Sequence, residues 1–228
     1  MRIWDIHPGY LARQQLLGEH RELHGLYNVL TLGKKGYSRH PETLRWVGCV
    51  DALVQRHDLL VAEMKLRGYN HHSPLAGVGS QQAPWPEIYI DPPEKQFELL
   101  AHKYAADNRE GRIPLPRNTQ ELWSQYKYSV MAHDPKLYRE IGPEVAHGIY
   151  QNNMPALSKL LVETLRKQPE EGRVFNALQH MWGDVKEVGK PSEDMVLLLN
   201  TIQVEAAKQK RTYLLHSTAL SELMIWIE

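Results

Sequence analysis

Apolar residues return at helical intervals along most of this 228-residue chain, and the interruptions are rich in proline and glycine. Between residues 11 and 32, Leu16, Leu23, Tyr27 and Leu30 recur near the 3.6-residue period and predict a first helix with one buried stripe. Pro41 suits the first turn of a second helix. Val50, Leu53, Val54, Val61 and Met64 predict another over 50–67, with Gly68 as its stop. Residues 74–93 hold Pro74, Gly77, Gly79, Pro84, Pro86, Pro92 and Pro93, which cannot propagate a helix; a long loop is expected there, with Ile88-Tyr89-Ile90 as a short strand. Helical patterning resumes over 94–109, breaks at Pro114 and Pro116, and continues over 119–132, 135–150, 154–168, 171–188, 192–209 and 212–227. The expected fold is all-α, with two helical modules, 1–115 and 116–228, joined by a Pro/Gly-rich linker.

The polar side of the first helix carries candidate chemistry. Gln14, Gly18, Arg21, Glu22 and Gly25 fall away from the apolar stripe. Two glycines there cost ~1 kcal/mol each relative to alanine and clear space for a backbone or ligand to approach. An ordinary solvated face is the competing reading. The following turn, Gly33 to Pro41, is basic: Lys34, Lys35, Arg39 and, just beyond, Arg45 suit phosphates, and Tyr37 can stack on a base, although such a loop is also common as plain surface. His20 and His24 stand at i and i+4 on one helix face, and His71-His72 could complete a metal site, the basis of an alternative reading as a metal-dependent hydrolase. The order is not that of the zincins, and twelve histidines make chance pairs common, so the leading reading assigns no metal ligand and no cofactor. His57 lies on the apolar stripe of its helix and reads as a satisfied core histidine.

Composition adds limits. A 42% hydrophobic chain of this length can bury a core without staples. The single cysteine, Cys49, allows no internal disulfide, the first residues lack a signal-peptide core, and no apolar run reaches the ~20 residues of a membrane span, so a cytoplasmic protein is expected. Net charge is zero, but residues 1–75 carry ten Lys and Arg against seven Asp and Glu, and the remainder seventeen against twenty. That mild positive balance permits nucleic-acid contact at the N-terminal end.

The start of the chain sharpens the picture. Met1-Arg2-Ile3-Trp4 offers a backbone amine, whose reference pKa of ~8 leaves far more of it unprotonated at neutral pH than a lysine at ~10.4. Arg2 is too large to favour removal of the initiator, so the nucleophile is expected to be the amine of Met1. Gly18-Glu19-His20-Arg21-Glu22-Leu23, with Arg2-Ile3 before it and Leu66-Arg67-Gly68-Tyr69-Asn70 after it, resembles the pyrimidine-dimer DNA glycosylase family of phage and bacteria, of the endonuclease V type. The resemblance covers about residues 1–75. It implies a DNA repair glycosylase with AP-lyase activity on damaged double-stranded DNA. In that scheme Met1 attacks C1′ through a Schiff base, Glu22 assists, and Arg2, Gln14 and Arg21 contact DNA.

A second helix arginine of the phage enzyme falls here on Gly25, beside His24. Either His24 or another basic residue then holds the phosphate, or the lesion differs. A non-catalytic nucleic-acid-binding protein on the same scaffold is a third reading. The C-terminal half is similar to an uncharacterised helical domain family, found elsewhere fused to sulfur-removing enzymes that act on thiolated pyrimidines.

Overall fold

Helices form where the stripes predict them, and a computed structural model describes residues 1–76, 84–185 and 189–227. In order they are α1 (Arg13–Leu32), α2 (Pro41–Arg45), α3 (Val50–Leu66), α4 (Pro93–Asp107), α5 (Thr119–His133), α6 (Pro135–Ala146), α7 (Met154–Leu165), α8 (Glu171–Trp182), α9 (Met195–Lys208), α10 (Thr212–Leu215) and α11 (Ala219–Glu222). Single 3-10 turns occur at Pro8–Tyr10 and Leu223–Trp226. Asn118, Asp134, Asn153 and Asp194 cap α5, α6, α7 and α9 by accepting first-turn amide hydrogens. Gly33 and Gly68 close α1 and α3 at φ 62° and 77°, a left-handed geometry that costs glycine no Cβ clash.

The all-α expectation holds, with two local corrections. Ile88-Tyr89-Ile90 is not a strand; no strand occurs among the described residues, so this short run has nothing to pair with. The single helix expected over 212–227 is α10, α11 and a 3-10 turn instead. Tertiary bonds break it: Thr218 donates its amide to the Gln125 carbonyl at 2.9 Å, and its hydroxyl meets Ser129 Oγ at 2.8 Å. Gly77 and Gly79 of the expected linker lie outside the described residues.

Two apolar cores share α5. The first gathers Ile3, Ile6, Leu16, Leu23, Leu53, Leu100, Leu122 and Leu161. The second gathers Met131, Val174, Leu178, Met181, Leu198, Ile202 and Leu220. Helix α3 lies against α1 on one side and α11 on the other, so it is buried around most of its circumference.

Apart from the 3-10 turn at Pro8–Tyr10, residues 2–12 run into the first core without regular structure, and most of their backbone groups must therefore find partners among side chains. Glu22 accepts from Arg2 N–H, Glu19 from Trp4 N–H, Gln96 from Asp5 N–H, and the Tyr104 hydroxyl from Ala12 N–H. Carbonyls are covered equally: Arg45 donates to Ile3, Arg56 to Ile6, and Arg67 to Gly9 and Leu11. These cations are in turn neutralised by buried carboxylates. Arg56 is bidentate on Glu19 at 2.8 and 2.9 Å, Arg45 meets Asp5 and Glu42, and Glu63 takes both Arg67 and Arg112. Burial opposes ionisation of Glu63, but Arg112 and Arg67 outweigh it and hold its carboxyl down at about 2.

Candidate functional site

The clamp on residues 2–12 fixes where the chain begins. Met1 packs its side chain against the first core, and its amine nitrogen lies 3.9 Å from Glu22 Oε1. The other carboxylate oxygen, Oε2, accepts the Arg2 amide at 2.6 Å. One oxygen of Glu22 thus positions the backbone while the other faces the amine. The Glu22 side chain remains 43% exposed, so a substrate can reach it. On the same flank of α1, Arg21 is exposed, and a Cβ added at Gly18 or Gly25 would meet nothing within 4 Å. Packing does not require either glycine, and the surface over them is open.

The remaining expected contacts divide. Lys34, Lys35 and Arg39 are exposed on the loop between α1 and α2, and Tyr37 beside them is 71% exposed. Arg2 stands near Glu22, but its guanidinium is paired with Asp91 at 2.6 Å and lies over the Trp4 ring. Gln14 accepts a hydrogen bond from Arg109. Arg45, expected among the phosphate contacts, is instead consumed in the buried network with Asp5 and Glu42, because the Ile3 carbonyl needs a donor there.

His24 lies elsewhere. Positions two apart on a helix do not face one another, so His24 and His20 project from a different flank of α1 than Glu22. There they meet His57 of α3 and His71 of the following segment; one ligand atom from each of the four lies within 4.8 Å of every other. His20 Nε2 is 3.1 Å from His71 Nε2 and 3.3 Å from His24 Nε2. His72 is exposed and stands outside the group. His57 is buried as its stripe predicted, yet it is not satisfied: Nδ1 meets Asp58 Oδ1 at 3.1 Å, while the buried Nε2 has no hydrogen-bond partner. Burial, and then the neighbouring imidazoles, lower His20 to about 4; the same causes lower His24 and His71.

Missing from sequence reasoning were Glu19, Arg56, Gln96 and Tyr104, the groups that hold the terminal segment. Glu19 falls among the apolar stripe positions Leu16, Leu23 and Leu26 of α1, and that placement was the available signal.

The architecture is that of an all-helical protein whose chain start is held against a helix carboxylate. Residues 1–76 match the family described as pyrimidine dimer DNA glycosylase, which supports a glycosylase role for this segment. Residues 127–210 match a family described as a protein of unknown function (DUF1722). Neither the curated proteins nor the solved structures contain a match to the chain. Among the described residues, no helix is long and apolar enough to cross a membrane.

Proposed function

We propose that the N-terminal segment is a glycosylase with lyase activity that acts on pyrimidine dimers in double-stranded DNA, with the Met1 amine as nucleophile. The observation that carries this reading is the 3.9 Å approach of that amine to Glu22, within a segment that matches the glycosylase family. Neutral amine attacks C1′ as the bond to the pyrimidine breaks, and the departing base takes a proton from water. Glu22 Oε1 accepts the proton that the amine sheds and offsets positive charge on the sugar. Glu22 returns its proton to O4′ as the ring opens to an imine between Met1 and C1′, and then takes the C2′ proton as the 3′ phosphate leaves. Arg21, Lys34, Lys35 and Arg39 supply phosphate contacts. Arg2 contributes when DNA phosphate replaces Asp91. The open surface at Gly18 and Gly25 lets the backbone of a distorted duplex approach α1.

Two variants test the assignment. Glu22→Gln is expected to lower base release by about 10²–10⁴-fold with DNA binding nearly intact. An uncleaved N-terminal extension, which turns the amine into an amide, is expected to abolish strand scission. Unchanged scission in either protein would contradict the mechanism.

A further inference from the structure

We propose that His20, His24, His57 and His71 bind one divalent first-row transition-metal ion, zinc by coordination preference, in a closed all-imidazole site that ties α1, α3 and the segment after α3 together. An imidazole nitrogen has one in-plane position, occupied by either a hydrogen or a lone pair. His20 Nε2 nevertheless has two other Nε2 atoms at 3.1 and 3.3 Å, so at most one of these approaches is a hydrogen bond. A cation at their centre makes both favourable. With zinc–nitrogen bonds of about 2.0–2.1 Å, the edge of a tetrahedron is about 3.3 Å, which matches these separations.

His57 supplies an independent indication. Its Nε2 is a buried polar atom without a partner, and its ring centroid lies 5.2 Å from those of His20, His24 and His71. Asp58 at Nδ1 favours the tautomer that leaves a lone pair on Nε2, the carboxylate–histidine arrangement that orients metal ligands. Among divalent metals, an all-imidazole set suits zinc, copper, nickel and iron; four protein ligands in a tetrahedral shell leave no position for a reactive water. The site is therefore a brace and not a hydrolytic centre. It fastens His71, 51 residues beyond His20 in sequence, against the helix that carries Glu22.

The test uses the full chain without a histidine tag, stripped with a chelator and titrated with Co²⁺ alone. One Co²⁺ per chain is expected, with the intense visible band of tetrahedral coordination, displaced by Zn²⁺. Saturation with Zn²⁺ at about a hundred times its Kd is expected to raise the thermal midpoint by about 5–10 °C. Asp58→Asn should weaken binding about 10–100-fold. His57→Gln and His71→Gln should remove the tetrahedral band, whereas His72→Gln, outside the cluster, should retain it. Absence of Co²⁺ uptake by the unaltered protein, or a band that survives His57→Gln, would overturn the proposal. The Co²⁺ titration of the unaltered chain and the Asp58→Asn comparison decide the matter even if a histidine variant does not fold. Scission assays on the same samples are read separately, so metal uptake without scission would count against the glycosylase reading alone.

Discussion

The terminal segment with α1 and α3 buries charge, whereas the stretch from α6 to α9 buries almost none. Around the segment, Glu19, Glu42, Arg56, Glu63 and Gln96 are all withdrawn from solvent. Between residues 134 and 210 the buried polar side chains among the described residues are Ser158 and Thr164, each bonded to a carbonyl within its own helix. The difference follows from backbone path. Regular helices satisfy their own amides and carbonyls, so apolar contact suffices between them. A buried irregular segment needs side-chain partners, and guanidinium–carboxylate pairs reach farther than any alternative. The same clamp that solves this problem places Met1 beside Glu22, so the polar core is the scaffold of the site.

Removing the clamp should produce the largest change. Arg56→Ala strips the cation from the Glu19 carboxyl, whose ionisation burial already opposes, and is expected to cost about 3–5 kcal/mol in urea unfolding. Replacing both partners with apolar residues should not restore stability, because Trp4 N–H and the Ile6 carbonyl lose their partners; a fully restored double variant would show that the pair serves itself and not the segment. In the apolar region, Leu178→Ala should cost about 2–5 kcal/mol through a cavity alone. Its loss should be insensitive to pH, unlike what is expected of Glu63.

Glu63 titrates with the sign of a depressed carboxyl. Its contribution is fully present above the unfolded value near 4.5 and disappears as pH falls toward about 2, amounting to about 3 kcal/mol. Unfolding measured between pH 5 and pH 2 should show that slope, and Glu63→Gln should flatten it. The smallest effects are expected at the open face. Lys35→Ala should reduce the salt dependence of DNA binding by about one phosphate contact, and Gly25→Arg should increase it by about one. An unchanged slope in Gly25→Arg would show that DNA does not pass over this part of α1.

Legibility in the sequence followed the same division. Stripes of aliphatic residues predicted α1, α3 and the helices from α5 to α9, because a helix packed by one face writes its period into the chain. The outward placement of Glu22, Arg21 and the basic loop was also readable, since they fall off the apolar stripe. Glu19 and Arg56 were not, because each lies on its own helix and only tertiary contact reveals the other. His57 illustrates both sides: its stripe foretold burial, but the three imidazoles around it come from α1 and from beyond α3. The break at Ser217 and Thr218 was hidden for the same reason, since the groups that bend the chain there belong to α5.

The proposed chemistry rests on a bond between the Met1 nitrogen and the sugar. Borohydride reduction of the protein on duplex DNA with an abasic site, followed by digestion and mass mapping, tests it most directly. A deoxyribose remnant is expected on the α-amine of the Met1 peptide; a remnant on a lysine, or no trapped adduct at all, would rule that amine out as the nucleophile.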